Sequence, residues 1–345
     1  MLRSATLLDP LDALFTPPRR DEFRLALAVP RSGPLALTSP AALAAAALAA
    51  EEVNMRGGVR GRAMSLAVVD AGRSPDAVAA DVGMLVSAGS VEAMVGLHTS
   101  DVHRAVERVT AGRVPYLFTP PHEGGDRLEG VALSGPGPRD QLQPVVHGLM
   151  TRRLDRWALV GSDYIWPHAV HAAAAPLIRA AGADVVSTVL APLGGVDPEP
   201  IIAELRSSRA QAVILSLVGR DLATFNRAFA ESGLQQQVMR ASCALDETCL
   251  LECDGDESGE LFSAMEWFAA DDDEDGFIGR YSARWGPMAP PLGVYARGCY
   301  SGLHLVAQLA EHAPLDVHTF VDRVGRHHAP SGRLARAEGT RLVPV

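Results

Sequence analysis

The sequence predicts an α/β protein built from two doubly wound parallel-sheet lobes in series, and three observations carry that prediction. From residue 23 onward, short apolar runs of strand length alternate with longer segments of helical pattern. Such alternation marks strand–helix–strand units and a parallel sheet covered on both faces. The alternation breaks at Gly135-Pro136-Gly137-Pro138 and then restarts, so the chain holds two such units. Its 345 residues agree, at roughly 100–200 residues per domain.

The elements follow in order. Residues 23–30 (FRLALAVP) form an apolar strand, and Ser39-Pro40 then starts a helix, with Ser39 as cap and proline in the first turn, running to Asn54. Residues 64–70 (MSLAVVD) are the second strand, and Ser74-Pro75 repeats the start signal for a helix to Ala88. A third strand at 91–97, a helix at 100–111 and a fourth strand at 114–119 complete the first half. In the second half, helices at 140–153, 168–181, 198–208 and 221–232 alternate with strands at 157–162, 184–190, 212–218 and 238–243. A long helix at 293–311, a shorter one at 316–324 and a hairpin at 333–345 turning at Glu338-Gly339 close the chain. Residues 1–20 read as an N-terminal extension.

Composition narrows the function. Charged residues make up 21% and hydrophobic ones 48%, an ordinary packed globular profile. The formal charge is −10 and every basic residue other than histidine is arginine, so the surface repels phosphate backbones and no direct nucleic-acid contact is expected. Four cysteines, at 243, 249, 253 and 299, lack the histidine pairs of a zinc site and read as free thiols. Asp9, Pro10 and Asp12 interrupt the N-terminus where a secretory signal needs a continuous apolar core. No run reaches the roughly 18 apolar residues of a membrane span, and no membrane insertion is expected. The expected location is cytoplasmic, or periplasmic or cell-surface if the start codon is misassigned.

Most routes to catalysis are missing. There is no GxxxxGK[ST] or GxGxxG phosphate cradle and no GxSxG nucleophile elbow. His327-His328 and His168 with His171 lack acidic or thiol partners at ligand spacing, and the acidic run 271–275 reads as a solvated loop or an acidic first turn. No enzyme, cofactor or metal is expected. What stands out is polar and aromatic residues at the carboxyl ends of strands, the edge where open α/β sheets bind ligands. His98-Thr99-Ser100 end the third strand, with Ser100 as cap of the next helix, where a hydroxyl beside free N–H groups suits a carbonyl or carboxylate oxygen. Phe118-Thr119-Pro120 end the fourth strand, Tyr164 follows the first strand of the second half, and Arg220-Asp221 follow a later one. Arg220 and Asp221 either pair with each other or split to read a zwitterion. Because these groups come from both halves, a shared ligand would lie between two lobes.

Residues 160–167 (VGSDYIWP) resemble the GSDY-[IV]-aromatic-Pro motif of amide- and urea-type members of the type I periplasmic-binding-protein family. Within it, the amide-sensing negative regulators of aliphatic amidase operons are the nearest match. Supporting pieces occur in the same order: EVN and GGV-GR at 52–62, VGLHTS at 95–100, TPPHEG at 119–124, VG and FNRA at 218–228, and APSG at 329–332. The resemblance covers residues 23–340. It implies a Venus-flytrap clamp with a multi-crossover hinge, lobe one comprising 21–138 and 269–328 and lobe two 139–268 and 329–345, with crossings near Pro138, Ala269 and Ala329. It places His98, Ser100, Phe118, Pro120 and Tyr164 in the pocket. The family usually has an aromatic at the position of His98, a hydroxyl residue at that of Pro120 and a small pair at Arg220-Asp221, so these departures imply a ligand more polar than acetamide. The implied role is a ligand-sensing regulator of a partner such as an RNA-binding antiterminator. The alternative is the solute-binding component of an ABC transporter for amides, urea or branched-chain amino acids, partnered by permease subunits. A homodimer is the assembly to consider in either case.

Overall fold

A computed structural model describes residues 6–149, 152–271, 275–326 and 332–345. It contains two sheets, largely parallel, each flanked by helices, as the alternating pattern predicts. In the first sheet the order is β1 (Thr6–Leu8), β3 (Ala63–Asp70), β2 (Glu22–Val29), β4 (Ala93–Gly96), β5 (Tyr116–Phe118) and β6 (Val131–Leu133), every neighbouring pair parallel. All eight residues of β2 are buried, because α2 (Ser39–Met55) covers one face and α3 (Pro75–Ser87) and α4 (Ser100–Thr110) the other. Six alanines of α2, at 41, 42, 45, 46, 49 and 50, are at most 3% exposed. Their small side chains let the helix lie close between the sheet and α11 (Val294–His312). Thr38, not Ser39, holds the cap position of α2; Ser39 is already helical.

Residues 1–20, read as an extension, contribute from Thr6 onward: β1 is an edge strand, and α1 (Pro10–Phe15) packs on β3 and α3. A buried arginine ties this piece down. Arg24 pairs with Glu22 at 2.9 Å and donates to the carbonyls of Ala13 at 3.0 Å and Thr16 at 2.7 Å, so its charge is fully partnered inside the protein.

The second sheet runs β13 (Arg341–Pro344), β12 (Arg333–Glu338), β11 (Leu261–Met265), β10 (Met239–Ser242), β9 (Ala212–Ser216), β7 (Arg156–Ser162) and β8 (Asp184–Ala191). The closing hairpin joins antiparallel, and the other pairs are parallel. Its helices are α5 (Pro138–Leu149), α6 (Ile165–Ala180), α7 (Pro198–Ser207), α8 (Gly219–Glu231) and the short α9 (Glu247–Glu252). After β11 the chain returns to the first lobe. There α10 (Phe277–Trp285) and α11 pack on α2, and α12 (Val317–Gly325) packs on β6, before β12 rejoins the second sheet. The chain thus passes between lobes after β6, after β11 and between α12 and β12. The last passage, with Ala329 and His327-His328, lies outside the described residues, as do positions 272–274 of the acidic run. Gln141 secures the first passage: its buried amide donates to the carbonyls of Cys243 and Ala264, both at 2.9 Å, binding the start of α5 to the ends of β10 and β11. The four cysteines are buried and free.

Candidate functional site

Helix α4, which follows β4, touches α6, which follows β7, so strands of both sheets end at one junction, the cleft between the lobes, and the residues there divide into two walls. On the lobe-one wall, β4 ends at Gly96 and α4 begins at Ser100. Thr99 holds the cap position with extended backbone, φ −71° and ψ 158°, and its side chain makes no capping bond. Ser100, expected as the cap, is instead the first helical residue. It is 2% exposed, and its hydroxyl is sealed without a partner.

His98 turns away from the cleft. Its ring folds back over Gly96, where an added Cβ would sit 2.7 Å from Nε2, so only glycine leaves room for it. There it meets Phe118 at a ring distance of 5.1 Å, while His103 lies 4.2 Å from the same ring. Phe118 is fully buried in the layer between sheet and α4. Thr119, 3% exposed, donates to the carbonyl of Gly96 at 3.2 Å, and Pro120 is buried with its carbonyl against Gly135. The expected site residues of lobe one therefore cluster, but His98, Phe118 and Thr119 support the wall from inside.

A polar chain runs behind that wall. Tyr116 Oη stands 3.0 Å from His98 Nε2 and 2.9 Å from His103 Nδ1, and His98 Nδ1 lies 3.1 Å from the Thr99 carbonyl. With both imidazoles neutral, one direction satisfies the phenol and three of the four ring nitrogens: His103 Nδ1–H donates to Tyr116, Tyr116 O–H to His98 Nε2, and His98 Nδ1–H to Thr99, while His103 Nε2 faces Glu107 Oε2 at 3.8 Å. Burial favours neutrality, pushing His98 down to about 4. Burial, with His98 and the Arg127 and Arg104 guanidinium groups nearby, pushes His103 to about 2. Beyond His103, Arg104 bonds Glu107 at 2.9 Å and Glu123 at 2.7 Å, and Arg127 pairs with Glu123 at 3.2 Å. Four buried polar atoms remain without partners here, Ser100 Oγ, Asp101 Oδ1, Glu123 Oε2 and Arg127 Nε, while His103 Nε2 and Glu107 Oε2, without hydrogen bonds, lie 3.8 Å from each other. Natural proteins satisfy most such atoms, so their concentration sets this place apart. Apart from Ser100, sequence reasoning missed these residues; the available signal was Asp101 beside Ser100 at a strand's carboxyl end.

The opposite wall centres on Tyr164, which precedes α6 and is half-buried. Burial raises its phenol pKa well above the ordinary value, and the charges of Asp101 and Glu123 add to the rise. Helices α4 and α6 touch at the same place. Tyr295, in the first turn of α11, is raised by burial and then by Asp246 and Tyr164. Neither tyrosine hydroxyl has a hydrogen bond among the described residues. Asp246, 2% exposed, accepts from Cys249 N–H at 2.9 Å, yet burial lifts its carboxyl to about 6.

Arg220 and Asp221 do not join this group, and they do not pair with each other. Asp221 is 5% exposed and holds the loop after β8, accepting from the N–H groups of Gly194 at 2.6 Å and Val196 at 3.5 Å. Arg220 is exposed; its backbone N–H donates to the Pro34 carbonyl of lobe one at 2.9 Å, a direct tie between lobes. A separate groove of about 790 Å³ lies at the opposite end of the lobe-one sheet, between α2 and α11. Arg280 and Tyr300 of its lining are both committed to the buried Glu52 of α2, each at 2.7 Å, so it reads as a joint between helices.

Two sheet-built lobes with an interleaved chain and a cleft at their strand ends define a known architecture, and the comparisons agree. The profile of the periplasmic binding protein family matches residues 22–326. The chain belongs to that family. A Leu/Ile/Val-binding protein homolog 7 of Brucella abortus (strain 2308) is 28% identical over 230 residues, 63% of this chain and 57% of the relative, so the match spans little more than half of that protein. Among solved structures, a fatty acid ABC transporter substrate-binding protein from Thermomonospora curvata superposes with TM-score 0.82 at 17% identity, covering 98% of this chain and 95% of the other. A solute-binding protein of an R. palustris ABC transporter in complex with 4-hydroxybenzoate gives 0.79 at 17% identity over 94% and 96%. At that identity the likeness concerns the fold.

Proposed function

We propose that the chain is a solute-binding protein of the ABC-transporter type, which captures a small polar molecule between its lobes and presents it to permease subunits. The observation that carries this reading is the pair of facing walls, with the sealed, unpartnered hydroxyl of Ser100 and the unbonded hydroxyl of Tyr295 on the lobe-one side and the unbonded hydroxyl of Tyr164 on the other. A ligand seated there would satisfy both sides at once and so favour the closed arrangement. The relatives support transport: they are a Leu/Ile/Val-binding protein homolog, a fatty acid ABC transporter substrate-binding protein and an ABC transporter solute-binding protein in complex with 4-hydroxybenzoate. They lend nothing to the narrower expectation of an amide-sensing regulator with an antiterminator partner, which the sequence placed first. Family members are binding proteins, and no catalytic step is invoked.

Trp166 provides the assay. It is 3% exposed and its ring lies 6.3 Å from that of Tyr164, so ligand entry and lobe closure change its fluorescence. Titration with leucine, acetamide, urea, benzoate and short fatty acids should give a saturable change for at least one class. Ser100→Ala and Tyr164→Ala should each weaken that ligand roughly five- to 150-fold, the worth of about 1–3 kcal/mol for one polar contact. Unchanged affinity in both variants moves the site out of the cleft. Cell fractionation separates the roles: transport needs the protein outside the cytoplasm, whereas the cytoplasmic residence expected from the sequence suits a sensor.

A further inference from the structure

We infer that lobe one caps a helix of lobe two: the Pro34 carbonyl supplies a partner that the first turn of α8 lacks, and this contact latches the clamp shut. This rests on the cleft-binding reading above and adds the residues that govern closure. Helix α8 begins at Gly219, and Val218 before it has no polar side chain with which to cap it. The first N–H groups of a helix find no acceptor within it. That of Asp221 turns back to the Val218 carbonyl at 3.2 Å, whereas that of Arg220 reaches out of its lobe to the Pro34 carbonyl at 2.9 Å.

Both sides are shaped for the contact. In lobe one, Pro34 lies in the loop after β2, and Asp70 pins that loop from behind. One carboxylate oxygen of Asp70 accepts from the N–H groups of Arg31 at 2.9 Å, Ser32 at 3.1 Å and Gly72 at 3.0 Å. Next to Pro34, Leu35 is buried, and its carbonyl accepts the Thr38 hydroxyl at 2.9 Å. In lobe two, the Cys249 thiol donates to the Gly219 carbonyl at 3.5 Å. Gly219 itself has φ +53°, and a Cβ there would lie 2.2 Å from the Pro34 oxygen and 2.9 Å from its carbonyl carbon. Only glycine lets the loop approach so closely. The contact also lies off the hinge. In the first sheet β4 and β5 separate β2 from β6, where the chain first leaves, and in the second β10 separates β9 from β11, where it returns. Rotation about those crossings parts Pro34 from Arg220 and leaves the amide to water.

Residue-resolved hydrogen exchange at the Arg220 amide, on the full chain without ligand, tests the latch. The amide should be protected in the parent, because only closure gives it a partner, and Gly219→Ala should speed its exchange about tenfold or more. Gly233→Ala is the control: it puts alanine at φ +76° beyond the other end of α8 with nothing within 4 Å, so it carries the backbone strain without the obstruction and should leave Arg220 protected. Should Gly219→Ala not fold, Asp70→Ala unpins the lobe-one loop and should speed exchange about 2- to 30-fold, the worth of a helix cap. Whichever of leucine, acetamide, urea, benzoate and short fatty acids binds the parent best should dissociate faster from Gly219→Ala, in proportion to the lost closed population. An Arg220 amide that exchanges like free peptide in the parent overturns the latch, as does exchange unmoved by Gly219→Ala and Asp70→Ala. Protection lost in Gly219→Ala while Ser100→Ala and Tyr164→Ala leave every affinity intact keeps the latch and moves the ligand out of the cleft. Binding weakened by Ser100→Ala but untouched by Gly219→Ala keeps the cleft and removes the latch.

Discussion

Replacing Glu247 by glutamine should flatten the alkaline side of the stability curve. Glu247 begins α9 and is 9% exposed; its Oε1 accepts the Ala269 N–H at 2.6 Å, joining lobe two to the strand passing back to lobe one, while Oε2 is sealed without a partner. Burial is the main reason its pKa rises from 4.5 to about 8, with Asp246 and Asp271 adding like charge against the Ala269 bond. A carboxyl whose folded pKa is raised stabilises fully below its unfolded pKa, and that contribution fades as pH climbs through the folded value. The window is therefore about pH 4.5 to 8. At roughly 1.4 kcal/mol per unit, it amounts to about 5 kcal/mol as an upper figure. Glutamine keeps the carbonyl acceptor for Ala269 and has no proton to lose. Its unpartnered NH2 costs a constant amount, so the slope with pH is the observable. Urea unfolding from pH 5 to 9 should show the parent losing several kcal/mol relative to Glu247→Gln, the loss beginning near pH 5 and saturating above pH 8. Parallel curves for the two proteins would refute the reasoning.

Two further outcomes follow from the buried chemistry. Tyr116→Phe removes the hydroxyl that bridges His98 and His103, all three residues at most 3% exposed, and strands two ring nitrogens; unfolding should become easier by about 2–5 kcal/mol, and a change below about 0.5 kcal/mol would undo the assigned chain. Burial pushes the Cys243 and Cys299 thiols to about 12, so a thiol reagent should react slowly with the native protein and find four free groups once it is denatured without reductant, two or none marking a disulfide instead.

The alternation of strands and helices was legible because it rests on local patterns: β2, β3, β7 and β9 are apolar runs, and Ser74-Pro75 opens α3 where a helix start signal predicts. The elements that escaped lack such patterns. β1 and β6 are three residues long, too short for any period to register, and are strands only because β3 and β5 offer them a ladder. In β11 the polar Ser263 sits mid-strand, fully buried, and is accommodated by donating to the Leu245 carbonyl at 2.6 Å. That partner lies 18 residues away, beyond reach of a window read along the chain.

The site divides along the same line. Its position at the strand ends was readable, as were Ser100 and Tyr164, because strand direction and order place them there. Their neighbours' roles were not, since direction within a pocket depends on what packs alongside. His98 looks like a ligand contact until the bare Gly96 admits its ring and Tyr116 captures its Nε2. Arg220-Asp221 look like a zwitterion reader until the Gly194 and Val196 amides claim the carboxylate. Asp101 suffers the reverse error. An acid in a helix's first turn is so ordinary as a complement to the macrodipole that nothing local distinguishes one that also faces a cleft. Only tertiary structure separates the cases, by leaving its Oδ1 sealed with no donor. The residues that most resemble ligand contacts in sequence are thus those with partners inside the protein. The demand for a ligand falls on the residues left without one.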